Sequence, residues 1–406
     1  MIGRSMQMTD VDKVSSPETV LYGHDSSHSD TGTRLNLCID FCTDQICDLL
    51  SACSRFTVIA AFDKCVYLKP LDGDQQCGHR TLICLCQPEL GKGPINCIIA
   101  ANQPGTNAQN EQCADSQDFF TAFFTALARG QTFFNDRQAH CLHLQASAQR
   151  YPTIEISVEY AAAFVTRLQT AAIPITSSLC SIQDASATLG KLESVCHVDG
   201  LRTSIFHDTL LSLRNHAAHQ CVSSVAGSSD RSIAGVMADS VKHLTAQLQV
   251  LLDDLISATS HTEVGHFEKL SAAGAEKLLG VGVGLTPAGD DFLCGVMAAL
   301  YSYRRVDVAA KLWSLIEPQV DLATHLISAC HLEQAAKGQV TDASLKIMAS
   351  LEHVLLHTAE TSSEQKTNLT VLQSCCEQVG SSSGYDFLAG LLFVRLVFVA
   401  ESTESP

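Results

Sequence analysis

At 406 residues the chain is long enough for two domains, and a composition of 46% hydrophobic and 17% charged residues describes a globular protein with a sizeable core. Its formal net charge of −17 argues against broad nucleic-acid binding and against docking on an anionic membrane surface. A small anionic ligand stays open, because loop amides bind anions whatever the global charge.

The first residues, Met1 to Val14, are polar and charged and do not read as a secretory signal. The longest apolar run, Phe387 to Ala400, is interrupted by Arg395 and is short for a membrane span. The 18 cysteines are scattered, and neither Cys84-x-Cys86 nor Cys375-Cys376 matches paired zinc-ligand spacing. These features predict a cytoplasmic protein with reduced, mostly buried thiols.

In chain order, residues 1–18 form a polar lead. Residues 19–150 have a β-rich texture: Phe56 to Ala61 and Cys65 to Pro70 read as strands around Asp63-Lys64, and Thr81 to Cys86 and Ile95 to Ala101 continue the series. A helix over Ser116 to Arg129 interrupts it, with Phe119, Phe120, Phe123, Phe124 and Leu127 as a core-facing stripe. Residues 151–406 turn helical. Predicted helices cover Ile233 to Ile256, Phe267 to Leu279, Thr286 to Tyr303, Val308 to Ala336 with a break near Pro318, Asp342 to Leu356, and Leu369 to Val379. Ala226 to Arg231 reads as a loop. The histidines between His197 and His266 lack a His-Glu-x-x-His spacing and read as surface or core residues. The fold class expected is α+β, a β-rich N-terminal domain followed by a mainly α-helical C-terminal domain.

The chemistry concentrates in Leu279-Gly280-Val281-Gly282-Val283-Gly284-Leu285-Thr286-Pro287-Ala288-Gly289-Asp290-Asp291-Phe292-Leu293. Glycines free the backbone for tight turns, Thr-Pro suits a helix start, and Asp290 and Asp291 fall in the first turn, where the helix dipole favours carboxylates. The run lacks the Gly-Lys-Ser/Thr ending of a P-loop and the βαβ context of a dinucleotide fingerprint. It has an echo: Gly289-Asp290-Asp291-Phe292-Leu293-Cys294-Gly295 and Gly384-Tyr385-Asp386-Phe387-Leu388-Ala389-Gly390 share Gly-x-Asp-Phe-Leu-x-Gly. Both copies follow hydroxyl-bearing turns, Thr286 in one and Ser381, Ser382 and Ser383 in the other. Two similarly capped helices packed through glycine would explain the pattern. Two helix starts converging on one ligand would explain it better, with Gly282, Gly284, Thr286, Gly289, Asp290, Ser382, Ser383 and Gly384 binding phosphate or substrate and Asp291 and Asp386 as the catalytic pair.

The run Gly282 to Leu293 resembles the signature of the AllH family, a subunit of oxamate carbamoyltransferase. Thr324-His325-Leu326-Ile327-Ser328-Ala329, Ala335-Ala336-Lys337-Gly338 and Ser382-Ser383-Gly384-Tyr385-Asp386 resemble it as well. The resemblance runs from about Phe267 to Val397 and is loose over Val20 to Gln145. It implies conversion of oxalurate and phosphate to oxamate and carbamoyl phosphate, in anaerobic allantoin and purine breakdown. It also implies that other carbamoyltransferase subunits are partners. On this reading, loop amides and Thr286 hold phosphate, while Asp291 and Asp386 take a magnesium ion or the substrate's ureido N–H groups. Lys277, Arg304 and Arg305 are candidates for charge balance. The rival readings are a magnesium-dependent nucleotide or acyl-phosphate enzyme using the same loop, and a non-catalytic assembly or regulatory subunit.

Overall fold

A computed structural model describes residues 34–71, 80–101, 123–124, 127–136, 141–144, 153–157, 194–195, 201–202, 204–208, 210–211, 250–251, 273–356 and 362–404. Its N-terminal part is a closed barrel of eight strands: β1 (Arg34–Phe41), β2 (Arg55–Ala61), β3 (Cys65–Pro70), β4 (Ile83–Cys86), β5 (Asn96–Ala101), β6 (Thr132–Asp136), β7 (Cys141–Leu144) and β8 (Thr153–Ser157). The order around the barrel is β1-β5-β4-β3-β2-β6-β7-β8. Closure comes from β8 pairing with β1 in parallel, Leu37 opposite Ile156; β4 and β5 are the other parallel pair. The last strand follows residue 150, where the composition had suggested the β-rich part ends.

Period-two alternation fills the barrel. Leu37 and Ile39, Phe56 and Val58, Val66 and Leu68, Ile83 and Leu85, Cys97 and Ile99 share one buried cluster with Phe133, Leu142 and Ile156. Helix α1 (Asp44–Ala52) contributes Ile46, Leu49 and Leu50 to it. The Thr43 hydroxyl caps that helix at Ile46 N, and Asn135 donates to the carbonyls of Leu50 and Cys53 near its end. On β3 and β4 the outward positions are buried too. Cys65, Cys84 and Cys86 form a second cluster, against which Tyr67 packs. A surface of β3 and β4 covered on both faces means that something packs outside the barrel there.

What packs there is the helical part: α2 (Ala273–Glu276), α3 (Ala288–Ser302), α4 (Val306–Ala323), α5 (Leu326–Ala336), α6 (Asp342–Leu356), α7 (Ser362–Val379) and α8 (Ser383–Glu404). Arg80 clamps the two parts, donating to Asp321 at 2.6 Å and to the Glu317 carbonyl at 3.0 Å, while its own carbonyl accepts from Cys330 Sγ. Lys92 and Asp342 add a second tie, with Asp342 N donating to Lys92 O at 2.8 Å. The expected break near Pro318 does not occur there. Pro318 lies inside α4, and the chain breaks at Thr324 and His325. Leu312, Ile316 and Val320 keep one face of α4 buried on both sides of the proline, so packing holds the helix through the missing N–H.

Helices α3 and α8 cross at their glycines. A Cβ on Gly295 would lie 2.1 Å from the Phe387 carbonyl oxygen, and one on Gly390 would lie 2.1 Å from that of Phe292. The two contacts are the same pair of motif positions exchanged between the copies, so the repeat is a local two-fold relation between the helices. Of the other expectations, most of the Ser116 to Arg129 helix, most of Ile233 to Ile256, and the loop Ala226 to Arg231 lie outside the described residues, as do most of the His197 to His266 histidines. Among the described residues no helix is long and apolar enough to cross a membrane, and the cysteines are free and mostly buried.

Candidate functional site

The glycine run leaves α2, passes over the end of α4 and enters α3. Gly280 (φ 70°) sits so close to Ala323 that a Cβ would be 2.1 Å from its carbonyl oxygen, and Gly289 is pressed equally hard on Leu278. Between them, Gly282 to Leu285 is exposed, and Val283 at the tip is 94% exposed. The amides at the start of α3 are spoken for: Gly289 N donates to Val281 O, and Asp290 N and Asp291 N to Pro287 O. At the start of α8, Tyr385 N and Asp386 N donate to Ser382 O in the same way. With these amides engaged, the side chains of Thr286, Asp291 and Ser383 are what line the cavity at the helix starts.

The three carboxyls sit in three different environments. Asp290 is fully buried. Its Oδ1 accepts from Gly280 N at 2.9 Å, and its Oδ2 accepts from the hydroxyls of Thr324 and Ser328. It ties the glycine run to the α4–α5 break, which gives Thr324 and Ser328 of the recognised run a physical role. Asp386 is buried as well, accepts from Ser204 Oγ at 2.6 Å, and is also hydrogen-bonded by Ser382. Burial pushes its carboxyl up to about 6, against the lowering effect of those hydroxyls. Asp291 is the third. Burial raises it well above the usual carboxylate range, the Ser383 and Thr286 hydroxyls oppose the rise, and Asp386 and Asp290 reinforce it. Its Oδ2 is enclosed and has no hydrogen-bond partner.

Thr286 Oγ1 and Ser383 Oγ are 3.0 Å apart, so the two turns that precede the repeated motifs do meet. They meet at the wall of a cavity of about 380 Å³ between the barrel and the helices. Thr286, Asp291, Cys294 and Ser383 line it from one side, Cys65, Tyr67, Cys84 and Asn96 from the barrel, and His331 from α5. Burial lowers His331 to about 4, so its imidazole is neutral at physiological pH; burial holds Tyr67 well above its ordinary range, and against the lowering effect of Cys65 the neighbouring Cys86 and burial hold Cys84 up. The walls thus offer hydroxyls, a carboxamide, an imidazole and one carboxyl. Gly282, Gly284, Gly289, Asp290, Ser382, Gly384 and Asp386 are not among the lining residues; they frame the turns that place Thr286, Ser383 and Asp291.

The match to known proteins falls on this same region. The family described as oxamate carbamoyltransferase subunit AllH matches residues 278–395. The likeness to that family is confined to this segment. The AllH segment is under a third of the chain; it opens just ahead of the glycine run and closes within α8, so it contains both helix starts. No curated protein and no solved structure matches the chain.

Sequence reasoning missed the barrel wall and His331, because Cys65, Tyr67, Cys84 and His331 stand in no motif and act only through the packing of barrel on helices. It also proposed cations that lie elsewhere. Lys277 and Arg304 are exposed, Arg305 pairs with Asp307 at 3.3 Å, and none of the three lines the cavity. For magnesium, the described residues form no all-protein ligand cluster. Among the described residues no group of three or more His, Cys, Asp or Glu side chains is placed to hold a metal ion, and Oδ1 of Asp386 is occupied by Ser204.

Proposed function

We propose that the chain is a subunit of an oxamate-carbamoyltransferase-like enzyme, converting oxalurate and phosphate to oxamate and carbamoyl phosphate in purine catabolism. The observation that carries this reading is the convergence of Thr286, Ser383 and Asp291 on one cavity within the AllH segment. Carbamoyl transfer to phosphate needs two anions placed side by side, donors to polarise the carbonyl, and exclusion of water. The hydroxyls of Thr286 and Ser383 supply donors, and the exposed run from Gly282 to Gly284 lies beside them, where a phosphate would approach. Asp290, Ser382, Gly384 and Asp386 hold the two turns in register. The cavity is large enough for a small substrate, and its barrel wall of Cys65, Tyr67 and Cys84 excludes water from one side.

The family's description as a subunit supports other subunits as partners, and the isolated chain is expected to show little turnover. The test is to purify the native protein with whatever co-purifies and to assay carbamoyl phosphate formation from oxalurate and phosphate. Formation that needs the co-purifying protein and no nucleotide supports the reading. A strict requirement for a nucleotide would instead favour a nucleotide-dependent enzyme.

A further inference from the structure

We propose that Asp291 stands in the resting cleft as a neutral carboxylic acid and serves carbamoyl transfer as its proton donor. The resting proton stands on the enclosed, unpartnered Oδ2 and the groups around it; only the identity of the proton acceptor rests on the functional reading above.

Three neighbouring carboxyls have unequal partners. Asp290 receives one backbone N–H and two hydroxyls, and Asp386 receives two hydroxyls. Asp291 has the Thr286 and Ser383 hydroxyls beside it, but these bond to each other and leave at most one O–H for it, while its Oδ2 is enclosed with no donor at all. A carboxylate with one oxygen enclosed and unpartnered and two further carboxyls beside it is strongly disfavoured, and a proton removes both costs at once. Among the described residues, the groups facing it do not offset the charge. They are Asp290 and Cys294 on α3, Asp386 on α8, His331 on α5, and Tyr67, Cys65 and Cys84 on the barrel. The imidazole is held neutral by burial, and the thiols of Cys294, Cys65 and Cys84 and the phenol of Tyr67 are all raised. This is the arrangement by which an apolar site keeps an acid protonated for use as a donor.

In the reaction, an oxygen lone pair of hydrogenphosphate forms the bond to the carbamoyl carbon, and the bond from that carbon to the oxamate nitrogen breaks. The electron pair left on nitrogen takes the proton of Asp291, giving the amide of oxamate. The proton that hydrogenphosphate sheds on becoming carbamoyl phosphate returns to Asp291. No oxidant, reductant or metal enters the balance.

The test uses the assembled complex and Asp291→Asn. Difference infrared spectroscopy at neutral pH, parent against variant, is expected to show a deuterium-sensitive C=O band of a protonated carboxyl that only the parent has. Its absence from the parent overturns the proposal, whatever the enzyme's reaction. In steady-state assays, Asp291→Asn should keep KM for oxalurate and phosphate within about twofold and lose kcat by about 10²–10⁴-fold, and Asp291→Glu should recover part of kcat. A rise in KM at unchanged kcat would make Asp291 a binding carboxylate and overturn it. Failure of Asp291→Asn to fold would also count against it, because asparagine reproduces the shape of the neutral acid. If the complex transfers no carbamoyl group at all, the functional reading falls while the infrared band still decides the proton.

Discussion

Placing a methyl group at Gly295 asks whether the α3–α8 crossing is as close as its geometry implies. The added carbon would sit 2.1 Å from the Phe387 carbonyl oxygen and 3.2 Å from the Gly390 Cα, and real Cβ contacts essentially never fall below 3.0 Å. Both obstacles are backbone, so no side chain can rotate away, and the helices must part by about 0.9 Å, the shortfall in the first contact. A gap of that size forfeits about a quarter to a half of each dispersion contact across the seam, where Phe292, Val296, Phe387 and Leu391 pack. Overpacking of this kind costs about 3 kcal/mol at the upper end of its usual range, and alanine's better helix propensity returns about 1 kcal/mol. Gly295→Ala should therefore destabilise the helical part by about 2 kcal/mol. Gly390→Ala should match it, because its Cβ meets the Phe292 carbonyl at the same 2.1 Å. The double variant should cost less than the two added, since one separation relieves both clashes. Urea unfolding followed by helical circular dichroism reads all three. A Gly295→Ala protein as stable as the parent, or costs that add in full, would refute the reasoning.

Two further outcomes follow from the carboxyls. Asp290→Asn replaces an oxygen that accepts from protein donors, so it should lose about 1.5–3 kcal/mol, the usual worth of hydrogen bonds to a charged group, while Asp291→Asn should leave stability unchanged or higher. Thermal melts of the two variants check this, and a larger loss for Asp291→Asn would contradict it. Asp386 titrates at about 6 in the folded chain, above the ordinary 3.8. Its folded state thus binds the proton more tightly, and the stability it contributes is present below about pH 4 and lost as pH rises through 6. The loss is on the order of 3 kcal/mol at most, from a shift of about two units at 1.36 kcal/mol each. The difference in melting temperature between the parent and Asp386→Asn should change across that window, and parallel curves would show that Asp386 does not titrate there.

The convergence of the two helix starts was legible because the repeat writes it into the chain: Phe292 and Phe387 mark the same buried face, and Gly295 and Gly390 mark the crossing. Strands β2 to β5 were legible from β-branched and apolar runs bounded by turns. Barrel closure was not, because the parallel pairs β4–β5 and β8–β1 are set by packing of distant segments, not by local pattern. The same holds for the groups that complete the site. Ser204 reaches Asp386 across 182 residues of sequence, and Arg80 reaches Asp321 across 241. Pro318 misled because propensity marks it as a breaker, whereas the buried face of α4 carries the helix past it. Asp290 and Asp291 read alike in sequence, and only their partners separate a pinned acceptor from an enclosed acid.

On the proposed function, Thr286 and Ser383, 97 residues apart, act on one ligand from two helix starts. A double-mutant cycle on kcat/KM for carbamoyl phosphate formation, with Thr286→Val and Ser383→Ala in the assembled complex, tests it most directly. A coupling of about 1 kcal/mol or more between the two hydroxyls is expected, the double variant losing less than the sum of the singles. Losses that add fully, or single variants that turn over like the parent, would contradict it.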